Sequence, residues 1–238
     1  MTIRPLTEID EFEQCVDLQR ECFGMADVDL FPKRFYVVLN SIGGLVLGAL
    51  DGDKVVGFLN SMPGIKAGAP YWYSQVMAVA KEYWNSGIGS QLKLAQRDQA
   101  RQRGVHRVEW TFVPLESKNA YLNLAKLGAI VRRYHVNYYG EIASALHSGL
   151  ESDRVVAEWW IDRPRVQLVG DVRRIFVPSD IQSLKKQSLD SAKDVQMRVR
   201  EQFLKNLQDD YFAAGFERTD EWCAYLFIPG ASRVYQTD

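Results

Sequence analysis

Apolar positions recur along this chain with two different periods, and the switches between them mark its elements. After Thr7, a residue suited to an N-cap, Ile9, Phe12, Cys15, Val16, Leu18 and Phe23 follow at helical spacing, which predicts a helix over 8–23. GGLVLGAL and KVVGFLNSMPG are apolar runs joined by Asp51-Gly52-Asp53, and Gly tolerates the positive φ of a tight turn, so this stretch predicts a hairpin. Tyr71 to Val79 reads as a third long strand. Gly87 to Arg103 reads as a helix turning Ile88, Leu92, Leu94 and Ala95 inward, with Gly104 where a C-cap belongs.

VHRVEWTFVP alternates with period two and predicts a strand over 105–113, stopped by Pro114. SKNAYLNLAKLGA is a short amphipathic helix ended by Gly128, and IVRRYHVNYYG is a further strand. This order argues for an α/β arrangement whose sheet is parallel at least across the first crossover. Past Gly149 the texture changes. Strands are predicted at Val155–Ile161 and Val172–Val177, then a helical region after Pro178-Ser179-Asp180. Val195, Val199, Phe203, Leu207 and Tyr211 lie four apart, which puts them on one stripe of a long helix, and CAYLFIP closes as a short strand. No low-complexity linker isolates this part, so residues 151–238 are expected to be a C-terminal extension packed on a domain of residues 1–150.

Composition narrows the function by exclusion. The 238 residues carry 29 basic and 30 acidic side chains, so net charge gives no case for nucleic acid or an anionic membrane as partner. MTIRPLTEIDEFEQ has no secretory apolar core, and no apolar run approaches the roughly 20 residues of a spanning helix, so a cytoplasmic location is expected. Cys15, Cys22 and Cys223, like His106, His135 and His147, are too scattered for a disulfide framework or a metal site. Any anion site must be local.

One local feature qualifies. In YWNSGIGSQL two glycines stand where a strand hands over to a helix, and the first N–H groups of a helix have no partner within it. Ser86-Gly87-Ile88-Gly89-Ser90 would expose several such donors, which suits a pyrophosphate, while the same glycines also suit a tight turn alone. Neither the Gly-Lys-Ser/Thr ending of a nucleotide loop nor the third glycine of a dinucleotide fingerprint is present.

VMAVAKEYWNSGIGSQL resembles the acyl-CoA motif of the GCN5-related N-acetyltransferase (GNAT) superfamily, an apolar strand, then Arg/Gln-x-x-Gly-x-Gly/Ala, then a helix. Gly87 and Gly89 match its small positions, and Trp84 stands where Arg or Gln is usual. The elements that follow keep the family order through about residue 150. WTFVPL, NAYLNLAKLGA, NYYG and SDRVVAEW further resemble a subgroup with a C-terminal extension, some members of which are associated with N-acylation of amino acids, including N-succinylation. The implied fold is a mixed, partly splayed α/β sheet flanked by helices, with an α+β extension.

The resemblance implies direct acyl transfer from acetyl-CoA or another short acyl-CoA to a small-molecule amine or amino acid, with no metal. It implies cofactor contacts from Met77, Ala78 and Val79, from Trp84, Asn85, Ser86, Gly87, Ile88, Gly89 and Ser90, and from Asn119, which alternatively caps its helix. Gln75 stands where many relatives carry a catalytic Glu, which leaves Glu109 as the candidate base; a place on a solvated face or an ion pair with Arg107 or Arg132 is its other reading. The family's acid, a tyrosine, falls on Leu124, and Tyr121 lies one turn earlier. Tyr134, Tyr138 and Tyr139 would line an acceptor pocket, and Arg34, Arg132, Arg133 and Arg154 could meet a carboxylate. A non-catalytic acyl-CoA sensor or scaffold is the alternative; the long stripe is expected to pack against the main body, and the extension that carries it would cover a pocket or make a homo-oligomer contact.

Overall fold

The computed structural model describes residues 1–24, 27–140, 149–219 and 222–230. His147 lies outside them. The chain forms two compact units, one reaching to Glu109 and one from Trp110 on.

The first unit opens with β1 (Thr2–Pro5), α1 (Ile9–Phe23) and α2 (Lys33–Ser41), then the hairpin β2 (Leu45–Asp51) and β3 (Lys54–Lys66). The hairpin turns at Gly52, whose φ of 61° is the conformation the sequence reading required. β4 (Ala69–Tyr73) and β5 (Met77–Val79) both pair antiparallel with β3, and α3 (Ile88–Gln102) returns the chain to β6 (Arg107–Phe112). β6 runs parallel to β4 through Trp72↔Val108 and Tyr73↔Glu109, so the first crossover is parallel as predicted. Phe12, Leu18, Tyr36, Val46, Phe58 and Ala78 share one buried cluster, which is what α1, α2 and the sheet contribute to a common core.

The second unit continues from β6 into α4 (Ser117–Ala120), a π-helical turn (Tyr121–Lys126) and β7 (Ile130–His135). β8 (Arg154–Trp160), β9 (Arg173–Val177), α5 (Ile181–Gln187), α6 (Leu189–Gln208), β10 (Tyr211–Arg218) and β11 (Cys223–Pro229) complete it. Its antiparallel strands lie in the order β8-β7-β10-β11-β9. Phe203 of α6 stacks edge-on against Tyr225 and Phe227 of β11, and the Tyr225 hydroxyl donates to the Pro114 carbonyl at 2.8 Å. The architecture is thus mixed α/β with a partly splayed sheet.

Several expectations need correction. The run Tyr71–Val79 is two strands, not one, with Ser74-Gln75-Val76 between them. The stripe of the long helix ends at Leu207, because Asp210 takes a left-handed φ of 60° and Tyr211 begins β10. On α3 the buried positions are Ile88, Leu92, Lys93, Gln96 and Ala100, while Leu94 is 40% exposed. β1, α2 and β10 were not foreseen.

Candidate acyl-CoA site

The interruption between β4 and β5 is the feature that organises the site. Met62 pairs with Tyr73 and Leu59 pairs with Met77, so Asn60 and Ser61 on β3 face three residues, Ser74, Gln75 and Val76. One extra residue opposite two is a β-bulge, which re-aims the strand that carries it. Ser74 N–H still donates to the Glu109 carbonyl of β6 at 2.8 Å, but beyond it β5 pairs only with β3 among the described residues.

The ladder then decides which amides are open. Asn60 N–H donates to Val76 O at 3.0 Å and Ala80 N–H to Val56 O at 2.9 Å, so Val76, Ala78 and Ala80 face β3 by antiparallel alternation. The N–H groups of Met77 and Val79 therefore point to the unpaired edge.

The Val79 carbonyl on that edge accepts from the Trp84 indole N–H at 2.7 Å and lies 3.3 Å from the Cys22 thiol. Trp84 thus does not imitate the usual Arg or Gln. It ties the following loop back to β5. Asn85 (φ 63°) and Gly87 (φ 86°) are both left-handed, which turns the chain sharply into α3. Asp180 and Ser188 cap α5 and α6 with their side chains, whereas Gly87 leaves α3 without a side-chain cap. The first N–H groups of α3, from Ile88 to Ser90, accordingly have no intrahelical partner, and the dipole favours an anion there. Ser86 is otherwise engaged, its hydroxyl and N–H both donating to the Tyr83 carbonyl.

Close packing brings the helix start to the open strand. A Cβ on Gly57 of β3 would stand 3.2 Å from Ile88 Cγ2 and 3.3 Å from the Ala78 carbonyl, and one on Gly89 would stand 3.7 Å from Met77 Cε. The structure therefore brings Met77–Val79, Trp84 and Asn85–Ser90 together within one unit.

The same helix holds an arrangement the sequence reading missed. Lys93 is buried, its Nζ 3.0 Å from Ser74 Oγ and 3.2 Å from Gln96 Oε1, and Gln96 Nε2 donates to Ser61 Oγ at 2.7 Å. Burial pushes the Lys93 ammonium down to about 7. These side chains brace the bulge from the α3 side, touching both Ser61 and Ser74.

Glu109 is also buried, so the solvated-face reading falls, and its carboxylate lies 3.2 Å from both Lys66 Nζ and Arg107 Nε. Of the two ion-pair partners foreseen, Arg107 is correct, while Arg132 joins Arg133 on Glu158, at 3.1 and 3.3 Å. Those two arginines are engaged by the unit's own carboxylate.

In the second unit Asn119 is exposed and Glu116 is the N-cap residue, so the capping alternative for Asn119 falls. Tyr121 is half-buried at the start of the π-helical turn, with the Lys126 ammonium 5.4 Å from its ring centre. It borders an open depression of about 700 Å³ whose walls include Arg174, Phe216, Arg218 and Trp222. Leu124 is fully buried, and Arg165 satisfies the Leu124 carbonyl at 2.6 Å. The three cysteines are free, and no group of metal-ligating side chains occurs among the described residues.

The acetyltransferase (GNAT) family model matches residues 12–129. An aminoglycoside 6'-acetyltransferase type Ii superposes with a TM-score of 0.53 at 18% identity, covering 69% of this chain and 100% of its own. The ribosomal-protein-S18-alanine N-acetyltransferase of Escherichia coli gives 0.53 at 15%, covering 71% and 99%. The NatC complex bound to Gag peptide and CoA gives 0.52 at 15%, covering 67% and 97%. A search of curated proteins gives no match.

Proposed function

We propose, since the chain belongs to the GNAT family of acyl-CoA-dependent acetyltransferases, that it transfers a short acyl group, acetyl or one such as succinyl, to the amine of a small molecule or amino acid. The observation that carries this reading is the open edge of β5 beside the uncapped start of α3. The similar structures act, by their names, on an aminoglycoside and on an alanine of a ribosomal protein, so their shared fold does not choose the acceptor. The small-molecule choice rests on the resemblance of WTFVPL, NYYG and SDRVVAEW to the amino-acid-acylating subgroup.

On this reading Ile88, Gly89 and Ser90 donate their N–H groups to the pyrophosphate of coenzyme A, while Met77 and Val79 align the pantetheine arm. A neutral amine attacks the thioester carbonyl, the C–N bond forms, the C–S bond breaks, and the thiol leaves with a proton. Positioning supplies much of the rate, and the Met77 or Val79 amide stabilises the oxyanion. Glu109 is assigned as the base, with Lys66 and Arg107 holding its carboxylate, and Tyr121 as the acid. Asn119 is assigned to the cofactor. Residues 1–150 are assigned as the acyl-CoA domain and 151–238 as the extension; its α6 stripe is buried within its own unit against β11, which leaves a homo-oligomer to another surface. A cytoplasmic location belongs to the same proposal; no described helix is long and apolar enough to cross a membrane.

The test is to incubate the full chain with acetyl-CoA or succinyl-CoA and a panel of amines and amino acids while following free thiol. Acceptor-dependent thiol release is expected. Its absence despite measurable CoA binding would favour the sensor reading, for which Gln75 and Leu124 at the usual base and acid positions argue. Failure to bind CoA would overturn both readings.

A further inference from the structure

Asn60 lies opposite the bulge and is wholly buried. Its backbone N–H donates to Val76 O at 3.0 Å, and its side-chain Oδ1 accepts from Val76 N–H at 3.1 Å. The second bond fixes the orientation of the carboxamide, because only its oxygen can accept a proton from a backbone amide. The opposite end must then be the NH2 group, and Nδ2 has no hydrogen-bond acceptor among the described residues.

A buried donor left unmade costs about 1–3 kcal/mol. Around it three other polar groups of the bulge are engaged. Ser61 Oγ holds Gln96, Ser74 Oγ holds Lys93, and Ser74 N–H holds the Glu109 carbonyl. Leucine has the same branched outline and would suit a strand whose neighbours, Phe58 and Leu59, are fully buried. The open donor thus belongs to the carboxamide that meets Val76 N–H from the β3 side, one residue before Met77, the first residue of β5.

We propose that Asn60 Nδ2 donates a hydrogen bond to the carbonyl oxygen of the bound acyl thioester, as a side-chain donor beside the backbone amides of β5. This rests on the acyl-CoA reading above. Its chemistry is that of an oxyanion donor, strongest as negative charge develops on the oxygen in the transition state. It also predicts discrimination in binding, since coenzyme A without its acyl group lacks that carbonyl.

The experiment is calorimetric titration of the full chain with acetyl-CoA and with CoA, for wild type, Asn60→Leu and Asn60→Asp. Leucine removes both ends of the carboxamide; aspartate keeps an acceptor for Val76 N–H and removes the NH2 donor. Wild type should prefer acetyl-CoA, and both variants should lose about tenfold in acetyl-CoA affinity while CoA affinity stays within about twofold. A merely structural role would lower both affinities in parallel, and that result overturns the assignment, as does an unchanged ratio in the variants. Equal wild-type affinity for the two ligands overturns it too while leaving the cofactor reading intact. Wild type that binds neither overturns the cofactor reading and this assignment together. If one variant fails to fold, the ratio from the other decides.

Discussion

In the unit that begins at Trp110, Asp153 is wholly buried and fully answered. It accepts from the Tyr134 hydroxyl, the Asn137 N–H and two nitrogens of Arg200 at 2.9 and 2.8 Å. In the unit that ends at Glu109, Asn60 is equally buried, yet its Nδ2 has no acceptor among the described residues, α3 starts without a side-chain cap, and two amides of β5 face an open edge. Both units bury polar groups. The difference is what completes them. A network closed by the chain itself contributes a fixed structure, whereas donors left open are donors a ligand can complete.

The largest effect that would break this comparison lies in the closed network. Asp153→Ala leaves Arg200 buried with Glu151 as its one carboxylate among the described residues, and should cost about 3–5 kcal/mol of stability by urea unfolding. CoA affinity per folded molecule should stay unchanged. A large loss of affinity would show that the closed network also serves the ligand.

The next effect lies at the open end. A Cβ on Gly87 meets nothing closer than Gln91 Nε2 at 3.9 Å, so crowding within the protein is not what demands glycine; its φ of 86° is. Gly87→Val must leave that conformation or pay about 1–2 kcal/mol for it. Roughly tenfold weaker CoA binding with a retained cooperative melt is expected, and an unchanged Kd by calorimetry would remove the pyrophosphate assignment.

The hairpin at Gly52, the start of α3 at Gly87-Ile88 and the strand at β6 were legible because period and turn chemistry agree at each of them. The bulge was not, since Ser74-Gln75-Val76 continues a plausible strand and only the partner's register reveals the extra residue. α3 shows a second limit. Its buried stripe runs through Ile88, Leu92, Gln96 and Ala100, so a polar residue holds a core position and Leu94 was read inward in its place. The stripe of α6 overran its helix for a related reason, Tyr211 keeping the four-residue spacing after Asp210 had already turned the backbone. Asn60 gave no signal at all, because its meaning depends on Val76, sixteen residues away.

Lys93 sharpens the comparison by its pH dependence. Burial holds its pKa at about 7, against the usual 10.5 that the unfolded chain retains. Between those values the unfolded state binds a proton that the folded state does not, so stability rises with pH through that window, by about 1.4 kcal/mol per unit at most. Lys93→Met removes this dependence. Its advantage over wild type in urea should be greatest near neutral pH and shrink toward about pH 10, and parallel stability curves would refute the assignment.

The smallest expected effect is at Trp84, and it asks whether the open region is held in place by its own bonds. The indole N–H is the link between the loop and the Val79 carbonyl, while 56% of the residue is exposed. Trp84→Phe keeps an aromatic ring and deletes the donor, so the comparison isolates a single hydrogen bond worth about 0.5–1.5 kcal/mol. If that bond fixes the edge on which Met77 and Val79 present their amides, CoA affinity should fall about threefold to tenfold with little change in unfolding midpoint. If the ring acts by covering the loop, phenylalanine should replace it without loss. Trp84→Gln then separates a further role. Glutamine restores a residue the family motif uses and still carries an N–H donor, so recovery of affinity above the phenylalanine variant would assign the position to hydrogen bonding rather than to aromatic contact.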